Sequence, residues 1–128
     1  MSNVLGVGID LVSIKEIKEL DERTEGAFVK KTYSGREVEY AEKSGDYYQF
    51  LAGRFAVKEA VYKSICGNFP DIEFDFRRVE TLKMENGAPV CSLKGELKEA
   101  MEKAGASDIK ISISNQDDYA IAIAELLA

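Results

Sequence analysis

With 128 residues, 45% of them hydrophobic, the chain is sized for one domain over 1–128 with a sizeable core. A net charge of −6 excludes a broad nucleic-acid footprint, which needs clustered Lys and Arg against phosphates. The complete lack of histidine excludes Ser-His-Asp and Cys-His catalysis and every His-ligated metal centre, leaving carboxylates, lysines, hydroxyls or a metal held by oxygen, as suits magnesium, calcium or manganese.

In chain order, Val4–Val12 reads as a buried strand, with glycines at 6 and 8 where something packs closely and Asp10 interrupting the apolar run. Ser13 and Glu16 have capping-box spacing, which predicts a helix from about Ile14 to Leu20 and places Asp10 just before its N-terminus. Asp21–Gly26 is charged and reads as loop, and Phe28 and Val29 resume an apolar pattern on a short helix. Ser34 and Glu37 repeat the capping-box spacing, and the helix they begin ends near Gly45, where glycine takes a left-handed C-terminal position most easily.

Tyr47 to Ile65 carries the strongest helical pattern, with apolar residues recurring at three and four positions through Leu51, Phe55, Val57, Val61 and Ile65. Its charged residues Arg54, Lys58, Glu59 and Lys63 stand among apolar neighbours, where ionised groups are costly unless paired or serving a ligand. Beyond Pro70 the period changes to two. Strands are expected over Ile72–Phe76, Arg78–Met84 and Val90–Leu93, with a turn at Glu85-Asn86-Gly87 that makes the last two a hairpin. Lys94–Ala104 is an amphipathic helix stopping at Gly105. The alternation of Ile109, Ile111 and Ile113 predicts a strand whose partner is Tyr119–Leu126 across the loop Asn115–Asp118.

The longest apolar runs, such as Ala120–Ala124, fall far short of the roughly 20 residues of a membrane-spanning helix, and no basic-then-apolar leader opens the sequence, so a soluble, cytoplasmic protein is expected. Cys66 and Cys91 are widely separated and belong to no C-x-x-C pair, which favours two reduced structural thiols over a zinc or redox site.

On the central helix Glu59 and Lys63, four apart, share one face, while Lys58 points about 100° away from Glu59. By spacing alone Glu59 and Lys63 form an ordinary i,i+4 ion pair, Asp10 is a cap or turn residue, Gly87-Ala-Pro89 is turn chemistry, and Ser112 and Ser114 are the polar side of a strand.

Taken together and in this order, these segments resemble the holo-[acyl-carrier-protein] synthase family, the small class of 4′-phosphopantetheinyl transferases. The likeness spans nearly the whole chain. It rests on Gly8-Ile-Asp10-Leu-Val, on Phe50-Leu-Ala-Gly-Arg54-Phe-Ala-Val-Lys58-Glu59-Ala with Lys63, on Gly87-Ala-Pro89, and on Ile111-Ser112-Ile-Ser114 followed by Tyr119-Ala. The resemblance implies an α+β fold with an antiparallel sheet packed on a long central helix, and a homotrimer with active sites at subunit interfaces. It implies transfer of the 4′-phosphopantetheine arm of coenzyme A to a serine of apo acyl carrier protein, releasing adenosine 3′,5′-bisphosphate.

By the same resemblance Asp10 and Glu59 match the magnesium-binding carboxylates, and Arg54, Lys58 and Lys63 match basic residues that bind or activate the phosphates. Gly87, Pro89, Ile111 and Ser112 match residues near the nucleotide. A metal and ammonium groups would neutralise the pyrophosphate as phosphorus is transferred, and Lys63, Glu59 or a water on the metal would take the seryl proton. The chain departs from the family pattern at Asn115, where a histidine is common, at Cys66-Gly67-Asn68 in place of Gly-Thr-Gly, and at the non-basic Gly45–Tyr48. Lys15, Glu16, Lys18 and Glu19 make its first helix mixed in charge where the family's is basic, so the alternative is a weakened relative that binds coenzyme A or a carrier without efficient transfer.

Overall fold

The computed structural model describes residues 3–128; Met1 and Ser2 of the domain expected over 1–128 lie outside the described residues. Strand β1 (Val4–Ser13) passes directly into helix α1 (Ile14–Arg23), where the Ser13 hydroxyl accepts from the Glu16 amide and satisfies one of the helix's free donors. This helix continues beyond Leu20, so the loop expected over Asp21–Gly26 shrinks to Thr24–Gly26. Glu22 and Arg23 are good helix formers, and the Thr24 hydroxyl donates to the Leu20 carbonyl at 2.8 Å to close the last turn.

Helix α2 (Ala27–Thr32) is followed by α3 (Gly35–Lys43), which opens on a complete capping box between Ser34 and Glu37. The central helix α4 (Tyr47–Cys66) comes next, capped by Asp46. Strands β2 (Val79–Lys83) and β3 (Pro89–Leu93) form an antiparallel hairpin, α5 (Gly95–Lys103) crosses from it, and β4 (Asp108–Gln116) and β5 (Tyr119–Leu127) end the chain. The main sheet is antiparallel in the order β1-β5-β4, and β2 and β3 form a second sheet of two strands. The outcome is the α+β arrangement expected.

The inner face of the main sheet is built from small residues so that α4 can lie close upon it. Ala120, Ala122 and Ala124 of β5 are buried there. On β1 a Cβ at Gly6 would stand 1.8 Å from the Ser64 carbonyl oxygen, and one at Gly8 would stand 1.8 Å from that of Ala60. The close packing expected at these glycines is therefore with the backbone of α4. Because the helix is covered on most sides, Leu51, Ala52, Ala56, Val57, Ala60, Val61 and Ile65 are all fully buried. Each larger aliphatic among them contributes about 1.5–3 kcal/mol by leaving water.

No strand forms over Ile72–Phe76; the chain is irregular there and ends in a single 3-10 turn at Phe76–Arg78. The alternation has another cause. Phe74 packs edge-on to Tyr62 at 5.1 Å and to Phe76 at 5.3 Å, and Phe76 meets Phe55 at 6.0 Å, so these rings face α4 with no neighbouring strand to pair with. The loop expected over Asn115–Asp118 is likewise shorter, because Asn115 and Gln116 pair with Ala120 and Tyr119 and leave only Asp117 and Asp118 at the turn. Among the described residues no helix is long and apolar enough to cross a membrane.

Candidate active site

Asp10 is held on the inner face of β1, opposite Ala122 of β5, where the strand crosses α4. The crossing that Gly8 permits brings it to Lys63, whose ammonium donates to Asp10 Oδ1 at 3.1 Å and to the Ile9 carbonyl at 3.0 Å. Glu59 lies one helical turn before Lys63 and is half-buried. Burial raises its carboxyl above the ordinary range, the charge of Asp10 raises it further, and Lys63 partly opposes both. Two carboxylates 49 positions apart thus share one environment with one ammonium. The i,i+4 pairing of Glu59 with Lys63 gives way to a long-range pair between Lys63 and Asp10.

Arg54 stands earlier on the same helix, its guanidinium 4.0 Å over the Phe50 ring. It is only 8% exposed, and its Nε finds no acceptor among the described residues. With Ser44, Asp46, Gln49, Phe50, Gly53 and Asn115 it lines a small cavity of about 110 Å³. A buried donor without an acceptor costs about 1–3 kcal/mol, which an incoming anion would relieve. The sequence alone singled out Arg54 but not the Phe50 ring beneath it; the Phe50/Arg54 spacing of four residues was the available signal.

Lys58 lies in a different setting from Lys63 and Arg54. Its side chain is fully buried and turns away from Asp10, donating to Glu37 Oε1 at 2.8 Å, to the Phe76 carbonyl at 2.8 Å and to the Val79 carbonyl at 2.5 Å. Burial lowers its pKa and Glu37 opposes that shift; three acceptors around one nitrogen keep it an ammonium. All its protons are engaged inside the protein. Glu37, read from the sequence only as a cap, is the partner that spacing could not reveal.

The remaining expected site residues lie apart from Asp10 within one chain. Gly87, at φ 85°, forms the tip of the β2–β3 hairpin, and Pro89 begins β3 opposite Lys83. Ile111 turns inward on β4, while Ser112 lies on the outer face of the main sheet opposite Ile123. Along β1 and β5 that outer face is apolar: Val7, Ile9, Leu11, Tyr119, Ile121 and Ile123 are all exposed, Leu11 to 63%. Both thiols, Cys66 and Cys91, are free, and burial pushes the Cys91 thiol up to about 12, which makes it inert.

A sheet laid on a long helix that carries an acid, a lysine and a stacked arginine, with a second acid brought in by the first strand, defines a class. Residues 6–124 match the family model of the 4′-phosphopantetheinyl transferase superfamily, and the chain belongs to that family. Within it, the holo-[acyl-carrier-protein] synthase of Clostridium kluyveri is 40% identical over 121 residues, which cover 94% of this chain and 88% of that protein. The crystal structure of holo-[acyl-carrier-protein] synthase from Neisseria meningitidis superposes with a TM-score of 0.88 at 27% identity, covering 97% of this chain and 98% of the other. The Helicobacter pylori holo-[acyl-carrier-protein] synthase, solved in complex with coenzyme A, superposes with a TM-score of 0.79 at 29% identity, covering 94% and 98%.

Proposed function

We propose that this chain is a holo-[acyl-carrier-protein] synthase, which transfers the 4′-phosphopantetheine group of coenzyme A to a serine of apo acyl carrier protein and releases adenosine 3′,5′-bisphosphate. The observation that carries the reading is the meeting of Asp10, Glu59 and Lys63 where β1 crosses α4. Full-length likeness to synthases, one of them solved with coenzyme A, supports the substrates.

The residues fit a magnesium ion. Among the described residues no set of three or more His, Cys, Asp or Glu converges, but magnesium is commonly held by one or two carboxylates, its shell completed by waters and substrate phosphates. Asp10 and Glu59 supply two oxygen donors whose mutual repulsion a cation relieves. When bound, the ion supplies positive charge against the pyrophosphate.

The chain's own groups do the rest. Lys63 and Arg54 can meet phosphate oxygens, Arg54 through the Nε that finds no acceptor among the described residues. In the reaction the carrier seryl oxygen bonds to the phosphorus bearing pantetheine, and the bond from that phosphorus to the oxygen of the nucleotide's 5′-phosphate breaks. The seryl proton has to leave, and Lys63, Glu59 and a water held at the ion are the groups within the site to take it.

A homotrimer, acting as a single transferase domain in the cytoplasm to serve fatty-acid synthesis, completes the reading. The apolar outer face of the main sheet supports association, since monomers rarely expose contiguous apolar area of that extent. Ser112 lies on that same face, which supports sites shared between subunits.

The test is loading of an apo carrier protein with coenzyme A and magnesium, followed by mass spectrometry. Wild type is expected to add one phosphopantetheine per carrier, and Asp10→Ala and Glu59→Ala to stay folded and add none. Unchanged turnover in either variant removes that residue from the site. Tight coenzyme A binding without transfer by wild type would instead indicate the weakened relative, to which Asn115 in the Arg54 cavity points.

A further inference from the structure

A buried polar cluster lies outside the site described above, on another face of α4. Glu37 Oε1 accepts from the Ser34 amide at 2.9 Å and from Lys58 at 2.8 Å, and its Oε2 accepts from the Thr81 amide at 3.1 Å. Lys58 grips the carbonyls of Phe76 and Val79. Glu80, between Val79 and Thr81, accepts from the Ser34 hydroxyl at 2.7 Å. Three successive residues of β2 are thus fixed to α3 and α4 by one ion pair and its neighbours.

A two-stranded hairpin is marginal by itself. This one carries Gly87 at its tip and Pro89 at the start of its return strand. Lys58 and Glu59 are consecutive on α4 and point about 100° apart, so the helix turn that presents Glu59 to Asp10 also holds the base of the hairpin. We infer that Glu37 and Lys58 are positioning residues: their buried pair sets the place of the β2–β3 hairpin on α3 and α4, and through it the binding of the nucleotide half of coenzyme A. This rests on the transferase reading, which places Gly87 and Pro89 by the nucleotide.

Removing one partner strands a buried charge and threatens the fold, whereas removing both with shape kept is often tolerated. The informative variant is therefore Glu37→Gln/Lys58→Met, compared with wild type by calorimetric binding of coenzyme A and by steady-state kinetics. The pair variant is expected to melt near wild type, yet to show Kd and KM for coenzyme A raised roughly tenfold, as a misplaced binding element does, with kcat at saturating coenzyme A and KM for the carrier unchanged. Exchange of the Thr81 amide should quicken in parallel.

A folded pair variant that binds coenzyme A as wild type does overturns the inference, as does equal damage to KM for coenzyme A and for the carrier. Should the pair variant not fold, Glu37→Gln alone decides, since its amide oxygen can still accept from Lys58 while the carboxylate that also holds the Thr81 amide is lost: a raised Kd for coenzyme A supports the inference and an unchanged one refutes it. A wild-type chain that neither binds coenzyme A nor loads a carrier overturns the transferase reading and this inference with it.

Discussion

Replacing Gly8 with alanine tests how the strand crossing makes the site. The new Cβ would stand 1.8 Å from the Ala60 carbonyl oxygen and 2.8 Å from its carbon, both backbone atoms that no rotamer change can move aside. Ordinary contact begins at 3.4 Å, so β1 and α4 have to part by about 1.6 Å. Asp10 is two residues further along, and its 3.1 Å bond to Lys63 would stretch beyond hydrogen-bonding reach. Overpacking of this kind costs about 1–3 kcal/mol, which for a chain of this size lowers Tm by roughly 3–10 °C. A displacement beyond 1 Å at reacting groups is expected to lower kcat/KM by about a hundredfold. Thermal unfolding and the carrier-loading rate are the assays, with Gly35→Ala, where a Cβ meets nothing within 4 Å, as the control. A Gly8→Ala protein indistinguishable from wild type in both measurements would refute the reasoning.

Lys63→Met should raise the affinity of the free protein for manganese up to roughly fivefold, the worth of one half-exposed ion pair, because the ammonium no longer occupies Asp10; paramagnetic resonance of the free ion reads this, and weaker binding would contradict it. Glu59 has its carboxyl raised in the folded protein, so the native state holds more protons than the unfolded one and metal-free stability falls as pH rises from the ordinary carboxylate value through the raised one. Denaturant unfolding of Glu59→Gln between acid and neutral pH should show a shallower fall than wild type, and an equal or steeper fall would go against the account. Ile9 and Ile123 face each other on the exposed side of the sheet, so Ile123→Asp should leave the monomer folded and abolish the proposed trimer, as light scattering would show.

Much of this architecture can be read locally. Ser13 with Glu16 and Ser34 with Glu37 mark two helix starts because a cap is chemistry within one turn. The apolar residues of Tyr47–Ile65 mark the central helix, and its burial on nearly every side explains why so many of them are needed. What could not be read is long-range. Lys58 and Glu59 have the same kinds of neighbours in sequence, and only the placement of α3 and β2 on one side and β1 on the other sends the first inward and the second to Asp10. The alternation over Ile72–Phe76 reports side chains facing α4, which a strand and an irregular segment can both achieve, and the rings of Phe74 and Phe76 settle it as the latter. The pairing of Asp10 with Glu59 came from family likeness; spacing alone left Asp10 a cap and Glu59 half of an i,i+4 pair.

The most direct measurement is the binding of manganese in the presence of coenzyme A, followed by paramagnetic resonance in wild type, Asp10→Ala and Glu59→Ala. Joint tenancy of one ion by the two carboxylates and the pyrophosphate predicts a tightly bound ion in wild type whose affinity collapses in each variant, with both variants still folded. An ion held equally well without either carboxylate would contradict it.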